Sequence, residues 1–347
     1  MSSIIQTDVV IIGAGPVGLF QVFELGLLDL RAHVIDALPQ VGGQCSELYP
    51  DKPIYDIPAI PVCGAQELID RLMEQIKPFQ PEFHLGQEVS TLQRQENGRF
   101  YLQTSKGTEF DTATVVIAAG LGAFQPRRLR AAGAAEYEER FINYRVKDPS
   151  RFHGRDLLIL GGGDSALDWT LELCPHVNSL VLIHRRDEYR AQPASVRKMK
   201  QLCAEGKMQE MQGNVVAVHG DGERLRELEV LGPDGVKRRV EGEAVLVFWG
   251  LSPNLGPIAD WGLELDKKQL RVDTEQFQTS EPGIFAVGDI NSYPGKKKLI
   301  LSGFHEAALA AFGIQKYLNP DKKVFLQYTT TSPVMHQRLG VETPAKK

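Results

Sequence analysis

The chain has 347 residues, of which 42% are apolar and 24% charged, a balance that excludes a disordered or fibrous chain and leaves length for two domains with a core each. Its 39 basic and 44 acidic side chains leave a net charge of −5, which excludes a generally nucleic-acid-binding surface. No apolar run approaches a membrane span, the opening Met1–Asp8 has no basic segment of a signal peptide, and four scattered cysteines point to a reducing, cytoplasmic setting.

Asp8-Val-Val-Ile-Ile12 reads as a buried parallel strand running into Gly13-Ala-Gly-Pro-Val-Gly18. Leu19, Phe20, Val22, Phe23, Leu25 and Leu27 then repeat at helical spacing, and His33-Val-Ile35 ends at an acid, Asp36. Strand, glycine turn, helix, strand and terminal acid make the dinucleotide fingerprint. Gly13 permits the tight turn, Gly15 lets the backbone approach a pyrophosphate, and Gly18 lets the helix pack on the strand. The helix N-terminus offers unpaired N–H groups to the phosphates, and Asp36 is placed to accept from an adenosine ribose. A loop carrying Gly42-Gly-Gln44 follows, then an amphipathic helix over 66–77 stopped by Pro78. Short strands alternate over 83–110 with a hairpin signal at Asn97-Gly98, and Thr112–Gly120 is a second buried strand entering a glycine turn.

The opening motif then repeats. Arg155–Leu160 is a strand, Gly161-Gly-Gly-Asp-Ser-Ala166 is a G-x-G-x-x-A turn, and Ser179–Ile183 is the next strand. Gly161, Gly163 and Ala166 take the places of the three glycines, but this copy ends in His184-Arg185-Arg186, with Arg190 further on. Guanidinium groups bind a 2′-phosphate that an acid would repel, so this site is expected to prefer NADPH to NADH. Two dinucleotide sites in one chain argue for a flavoenzyme that uses a nicotinamide cofactor. Strands at 214–219, 225–231 and 236–241 complete the second domain, with turns at Asp221-Gly222 and Asp234-Gly235. The strand in Ala244–Asn254 returns the chain, Gly283–Asp289 ends an apolar strand in Gly-Asp, and a helix covers 299–318. The stretch from Asn319 is left without an element. The first domain is thus expected to be split, with 1–123 and 253–347 forming an FAD-binding domain and 124–252 an inserted NADP-binding domain.

These residues carry a resemblance. The two nested nucleotide domains, Gly42-Gly-Gln44, Gly161–Ala166, His184-Arg-Arg-Asp187 with Arg190-Ala191, and Gly288-Asp289 resemble the thioredoxin reductase-like pyridine nucleotide flavoenzymes. Leu48-Tyr-Pro50, Ile54-Tyr-Asp56, Gly122-Ala-Phe124, Asp164–Trp169 and Leu255–Gly262 are similar to the ferredoxin–NADP⁺ reductases of that group. The resemblance implies an α/β fold of two Rossmann-like, three-layer ββα domains. It implies FAD and NADP(H) as cofactors, with Gln44 and Tyr49 near the flavin, Val89 and Phe124 at the adenine and flavin ends, Asp289 on the ribityl chain and Thr330 near the isoalloxazine. Tyr49 and Tyr328 are the expected stacking partners on opposite ring faces, Tyr328 from the partner subunit of a homodimer.

Relatives with a redox disulfide carry C-x₄-C after the Gly-Gly motif or C-x-x-C in the second domain. Here the first place holds Cys45 and Pro50 and the second Tyr144-Arg-Val-Lys147, so neither dithiol exists. Cys45, Cys63, Cys174 and Cys203 read as too scattered for a redox pair or a metal cage, and the eight histidines show no ligand spacing, so no metal is expected. Electrons must then leave from the flavin itself. The reading is an FAD-dependent enzyme that takes hydride from NADPH and passes electrons singly to ferredoxin or flavodoxin, with Lys296-Lys-Lys298 as a basic landing site for the acidic partner. A general NADPH diaphorase or quinone reductase, or a non-catalytic flavin or nucleotide sensor, are the alternatives.

Overall fold

The structure, a computed structural model, describes residues 4–122, 125–146, 148–252, 254–322 and 327–342. It divides into two compact units, residues 1–124 with 253–347, and residues 125–252.

In the first unit, β1 (Ile5–Ile12) is followed by α1 (Pro16–Leu27), whose first-turn proline suits a position where no N–H bond is required. β2 (Ala32–Asp36) lies parallel to β1 with Ile35 beside Ile12. A short α2 (Gln44–Leu48) leads to α3 (Ala65–Ile76), which buries Leu68, Ile69, Leu72 and Ile76 on one stripe. Burying those side chains contributes roughly 1.5–3 kcal/mol each. The sheet grows by β3 (Glu82–Leu85) beside β2, and by the meander β4 (Val89–Arg94), β5 (Phe100–Thr104) and β6 (Glu109–Ile117). The β4–β5 turn closes as its sequence demands: Asn97 Oδ1 accepts from Arg99 N at 2.9 Å and Gly98 adopts φ +82°.

The second unit is built on a parallel sheet ordered β7-β14-β8-β9-β10. These strands are β7 (Ile142–Asn143), β8 (Asp156–Gly161), β9 (Ser179–His184), β10 (Gln209–Gln212) and β14 (Ala244–Phe248). α4 (Asp164–Leu173) follows β8 and α5 (Pro193–Ala204) follows β9. A separate antiparallel sheet of β11 (Asn214–Gly220), β12 (Leu225–Leu231) and β13 (Lys237–Glu241) lies within a residue of the expected strands.

Back in the first unit, β15 (Ile284–Ala286) joins the sheet beside the second half of β6, while β5 occupies the first half. α6 (Ile300–Leu318) packs on α1. Val9 and Ile11 of β1 face a core shared with α1, α3 and α6, and Val10 and Ile12 face a second core shared with the meander. The unit is therefore a three-layer ββα sandwich, as period-two alternation on a doubly covered strand requires. The last element departs from expectation, because Pro333–Leu339 forms a helix, α7. The Ser332 hydroxyl accepts from Met335 N at 3.4 Å, and Gly340 closes the helix at φ +67°. Met335 and His336 are buried, and Arg338 donates to the Leu27 carbonyl at the end of α1. Among the described residues no helix is long and apolar enough to cross a membrane.

Candidate active site

The glycines of the first turn divide by what surrounds them. A Cβ on Gly13 would lie 2.4 Å from the Ala118 carbonyl oxygen, and one on Gly18 would lie 1.9 Å from that of Gly13. Both glycines are required by backbone packing. A Cβ on Gly15 would meet nothing within 4 Å, so this face of the turn is open to a ligand. Gly15 is also the N-cap of α1 and supplies no side-chain cap, which leaves the first-turn N–H groups free for an anion. The arrangement fits a pyrophosphate.

Asp36 ends β2 beside this turn, and each carboxylate oxygen takes one backbone donor, Ala14 N at 2.6 Å and Leu38 N at 2.8 Å. Burial pushes its pKa above the usual carboxylate value while the two N–H groups pull it back. Each oxygen keeps a second lone pair for a ribose hydroxyl. Val89 is buried in the same core cluster as Ile12 and Ile35, and Gln87 N donates to the Asp36 carbonyl at 3.0 Å, so β4 starts beside the acid. The Gly42-Gly43 loop closes on the turn as well: Gly42 N donates to the Ala14 carbonyl at 2.8 Å, and a Cβ on Gly43 would lie 3.2 Å from Gly15 Cα. Gln44 thereby comes beside Gly120, where a Cβ would lie 3.7 Å from its amide nitrogen. Tyr49, half-buried at the end of α2, has its phenol pushed up by burial, with smaller contributions from Cys45 and the Asp289 carboxylate.

Asp289 sits one residue beyond Gly288, which adopts φ +81° and packs against Val17 at the start of α1. This turn is held from beneath by the fully buried Glu306 of α6, which accepts from Gly288 N at 2.7 Å, Asn291 Nδ2 at 2.8 Å and Tyr293 OH at 2.9 Å. The fourth donor is Lys296 Nζ, which also donates to the Gly288 carbonyl at 2.9 Å. This corrects the expectation for the lysine loop. Lys296 is 8% exposed and ion-paired to Glu306, so it presents no charge to a partner. Lys297 and Lys298 are exposed, and Lys298 lines a hollow with Lys267, Lys268, Gln269 and Asp289. Sequence reasoning passed over Glu306. Its signal is an acid on the buried stripe of an otherwise apolar helix, where only a paired charge is tolerated.

The second turn repeats the division. A Cβ on Gly161 would lie 2.7 Å from the Phe248 carbonyl oxygen and one on Gly162 would run into the His184 ring, whereas Gly163 is open. Ala166 is buried at the start of α4, in the place Gly18 takes in the first copy. The 185–192 loop folds back on the turn, with Arg190 N donating to the Gly162 carbonyl at 2.7 Å and Gln192 N to Asp164 Oδ1 at 2.8 Å. Arg185, Arg186 and Arg190 are exposed beyond the end of β9.

Some expected residues are not gathered here. Tyr328, 64% exposed, and Thr330 lie on a turn in which Thr331 N and Ser332 N donate to the Tyr328 carbonyl. Neither belongs to a core cluster of the unit. Phe124 lies outside the described residues. All four cysteines are free; Cys45 and Cys63 are buried, and burial pushes the Cys45 thiol up with a smaller contribution from Cys63, a proximity that their separation in sequence did not suggest. His33 and His84, on neighbouring strands β2 and β3, were also unexpected together. His33 Nδ1 and His84 Nε2 lie 3.0 Å apart with ring centroids 5.3 Å apart. Glu82 of β3 lies 3.8 Å from His33 Nδ1, so His33, Glu82 and His84 form a cluster whose spacing could hold a metal ion, which corrects the expectation that the histidines form no ligand set. Burial holds both rings below the usual imidazole range.

Two strand–turn–helix units, each with one open glycine at a helix N-terminus, define a dinucleotide-binding protein of two Rossmann-type domains. The chain belongs to the pyridine nucleotide-disulphide oxidoreductase family, whose pattern matches residues 7–310. It is 63% identical over 340 residues to ferredoxin–NADP reductase 2 of Cupriavidus metallidurans, with 98% of this chain and 93% of that one covered. It is 60% identical over 344 residues to ferredoxin–NADP reductase of Polaromonas naphthalenivorans, with 98% and 94% covered. Among solved structures it resembles thioredoxin reductase of Lactococcus lactis, with a TM-score of 0.76, 25% identity, and 90% of this chain and 99% of that one covered. The bacillithiol disulfide reductase of Staphylococcus aureus shares the fold, with a TM-score of 0.77, 18% identity and coverage of 92% and 100%.

Proposed function

We propose that this chain is an FAD-dependent reductase that moves electrons between NADPH and ferredoxin without a protein dithiol. The observation that carries the reading is the pair of open glycine turns that end in opposite chemistry, Asp36 after Gly15 and Arg185-Arg186 after Gly163. The acid suits a ribose diol and so FAD, and the exposed guanidiniums suit a 2′-phosphate and so NADPH. FAD, when bound, exchanges a hydride with NADPH and single electrons with the carrier. The chain's own part is to hold and orient. The α1 N-terminus and Gly15 take the pyrophosphate, Asp36 and the β4 end at Val89 take the adenosine, and Asp289 takes the ribityl chain. Gln44 and Tyr49 flank the ring.

Four free cysteines, two of them buried, support a route with no disulfide relay. The ferredoxin–NADP reductases at 60–63% identity support ferredoxin as the carrier. Exposed Lys267, Lys297 and Lys298 near Asp289 give an acidic protein a local basic face on a chain of charge −5. Tyr328 is 64% exposed and belongs to no core cluster of the described residues, which supports a homodimer in which it covers a neighbour's ring. A reducing, cytoplasmic setting agrees with the free thiols. The test is NADPH-driven reduction of cytochrome c with and without added ferredoxin. Turnover is expected to depend on ferredoxin; equal rates without it, with quinones as better acceptors, would make the chain a general diaphorase.

A further inference from the structure

Glu306 is fully buried, and its two oxygens accept four hydrogen bonds, from Gly288 N, Asn291 Nδ2, Tyr293 OH and Lys296 Nζ. Lys296 returns to the same glycine through its carbonyl at 2.9 Å and lies 5.4 Å from the Tyr293 ring centroid. The N–H and the C=O of Gly288 are thus both gripped by one ion pair, immediately before Asp289. A buried pair of this kind is a costly way to gain stability, since apolar side chains of similar volume serve as well or better. Its value lies in fixing one conformation and one charge state at the turn. We propose that Glu306 and Lys296 are positioning residues for FAD, acting through Gly288 and Asp289. The inference rests on Asp289 as a flavin ligand.

Asp289 can accept from ribityl hydroxyls with all its lone pairs only as a carboxylate. Burial favours its neutral form, the Lys296 and Lys298 cations oppose that, and the Glu306 carboxylate adds to it. Tyr49, Lys267 and Lys268 are the other titratable groups around it. Removing the Lys296 cation therefore makes Asp289 protonate at higher pH, and removing the Glu306 charge makes it protonate at lower pH. A role confined to packing would move the two variants together.

The measurement is the FAD dissociation constant of the full-length apoprotein, from flavin fluorescence, between pH 4.5 and 8. Lys296→Met is expected to weaken binding about tenfold at neutral pH and to move the acid limb up by about one pH unit. Glu306→Gln, which keeps the shape, is expected to move the limb down, and Lys296→Arg to return it toward wild type. Acid limbs that coincide with wild type, or that shift the same way in both variants, overturn the proposal. Should Lys296→Met fail to fold, an unchanged or raised limb in Glu306→Gln overturns it alone. If heating the wild-type protein releases no FAD, it is the reading of Asp289 that fails; if FAD is released and the limbs do not diverge, only the clamp fails.

Discussion

Side chains that look equivalent in the glycine turns do different work. Gly15 and Gly18 are three residues apart, yet a methyl at Gly15 enters open space while one at Gly18 collides with the Gly13 carbonyl oxygen at 1.9 Å. Gly15→Ala is expected to fold with a melting temperature close to wild type and to bind FAD on the order of tenfold or more weakly, since the methyl stands where the pyrophosphate approaches. Gly18→Ala is expected to be recovered in inclusion bodies or to melt far below wild type. Thermal unfolding and flavin content of the two variants separate the roles. Arg185 and Arg186 are exposed at a strand end, so their loss leaves no buried partner unpaired. A charge-assisted bond to phosphate contributes roughly 1.5–3 kcal/mol, so removing one arginine is expected to lower kcat/KM for NADPH about ten- to a hundredfold. NADH turnover is expected to stay within about twofold; equal losses with both cofactors would make the arginines structural.

At the level of elements, α1 carries both the nucleotide end and much of the core, and Glu24 shows the strain between those tasks. Burial alone pushes its pKa up to about 7 from 4.5. The folded state therefore holds a proton that the unfolded chain releases, so the stability of wild type is highest below pH 4.5 with respect to this group. That contribution is lost as pH rises toward 7, amounting to roughly 3 kcal/mol. Glu24→Gln is expected to melt higher than wild type at pH 8 and at the same temperature near pH 4.5, a comparison of thermal scans at two pH values. Elements with local punctuation were legible in the sequence: β1, α1, the Asn97-Gly98 hairpin and the β11–β13 meander follow from periodicity and turn residues. The tail helix α7 has its own end signals, Ser332-Pro333 and Gly340, but carries little apolar periodicity, since only two of its residues are buried. What local pattern cannot carry is contact across the chain. Gly43 on Gly15, His33 against His84, and Lys296 turned inward to Glu306 are fixed by how separate elements meet, and a run of three lysines looks solvated until the buried acid beside it is known.

Over the whole molecule, a net charge of −5 sets a constraint on the proposed docking of an acidic carrier protein. Long-range repulsion must be overcome by a local face, so raising ionic strength is expected to slow ferredoxin reduction at subsaturating ferredoxin while ferricyanide turnover at saturation changes little. Equal salt responses would remove Lys267, Lys297 and Lys298 from the docking face. Both copies of the glycine motif are legible in the sequence, because a dinucleotide turn is specified within about thirty residues and needs no distant partner. The proposed electron route bypasses the thiols, because Pro50 stands where a C-x₄-C pair would place its second cysteine and all four thiols are free. The direct test is a variant with Cys45, Cys63, Cys174 and Cys203 all replaced by alanine, which avoids burying a lone hydroxyl at the two core positions. With FAD retained, NADPH-to-ferredoxin turnover is expected to stay within about threefold of wild type. A loss of about a hundredfold in ferredoxin reduction, with ferricyanide reduction intact, would show that electrons leave through a thiol and would contradict the account.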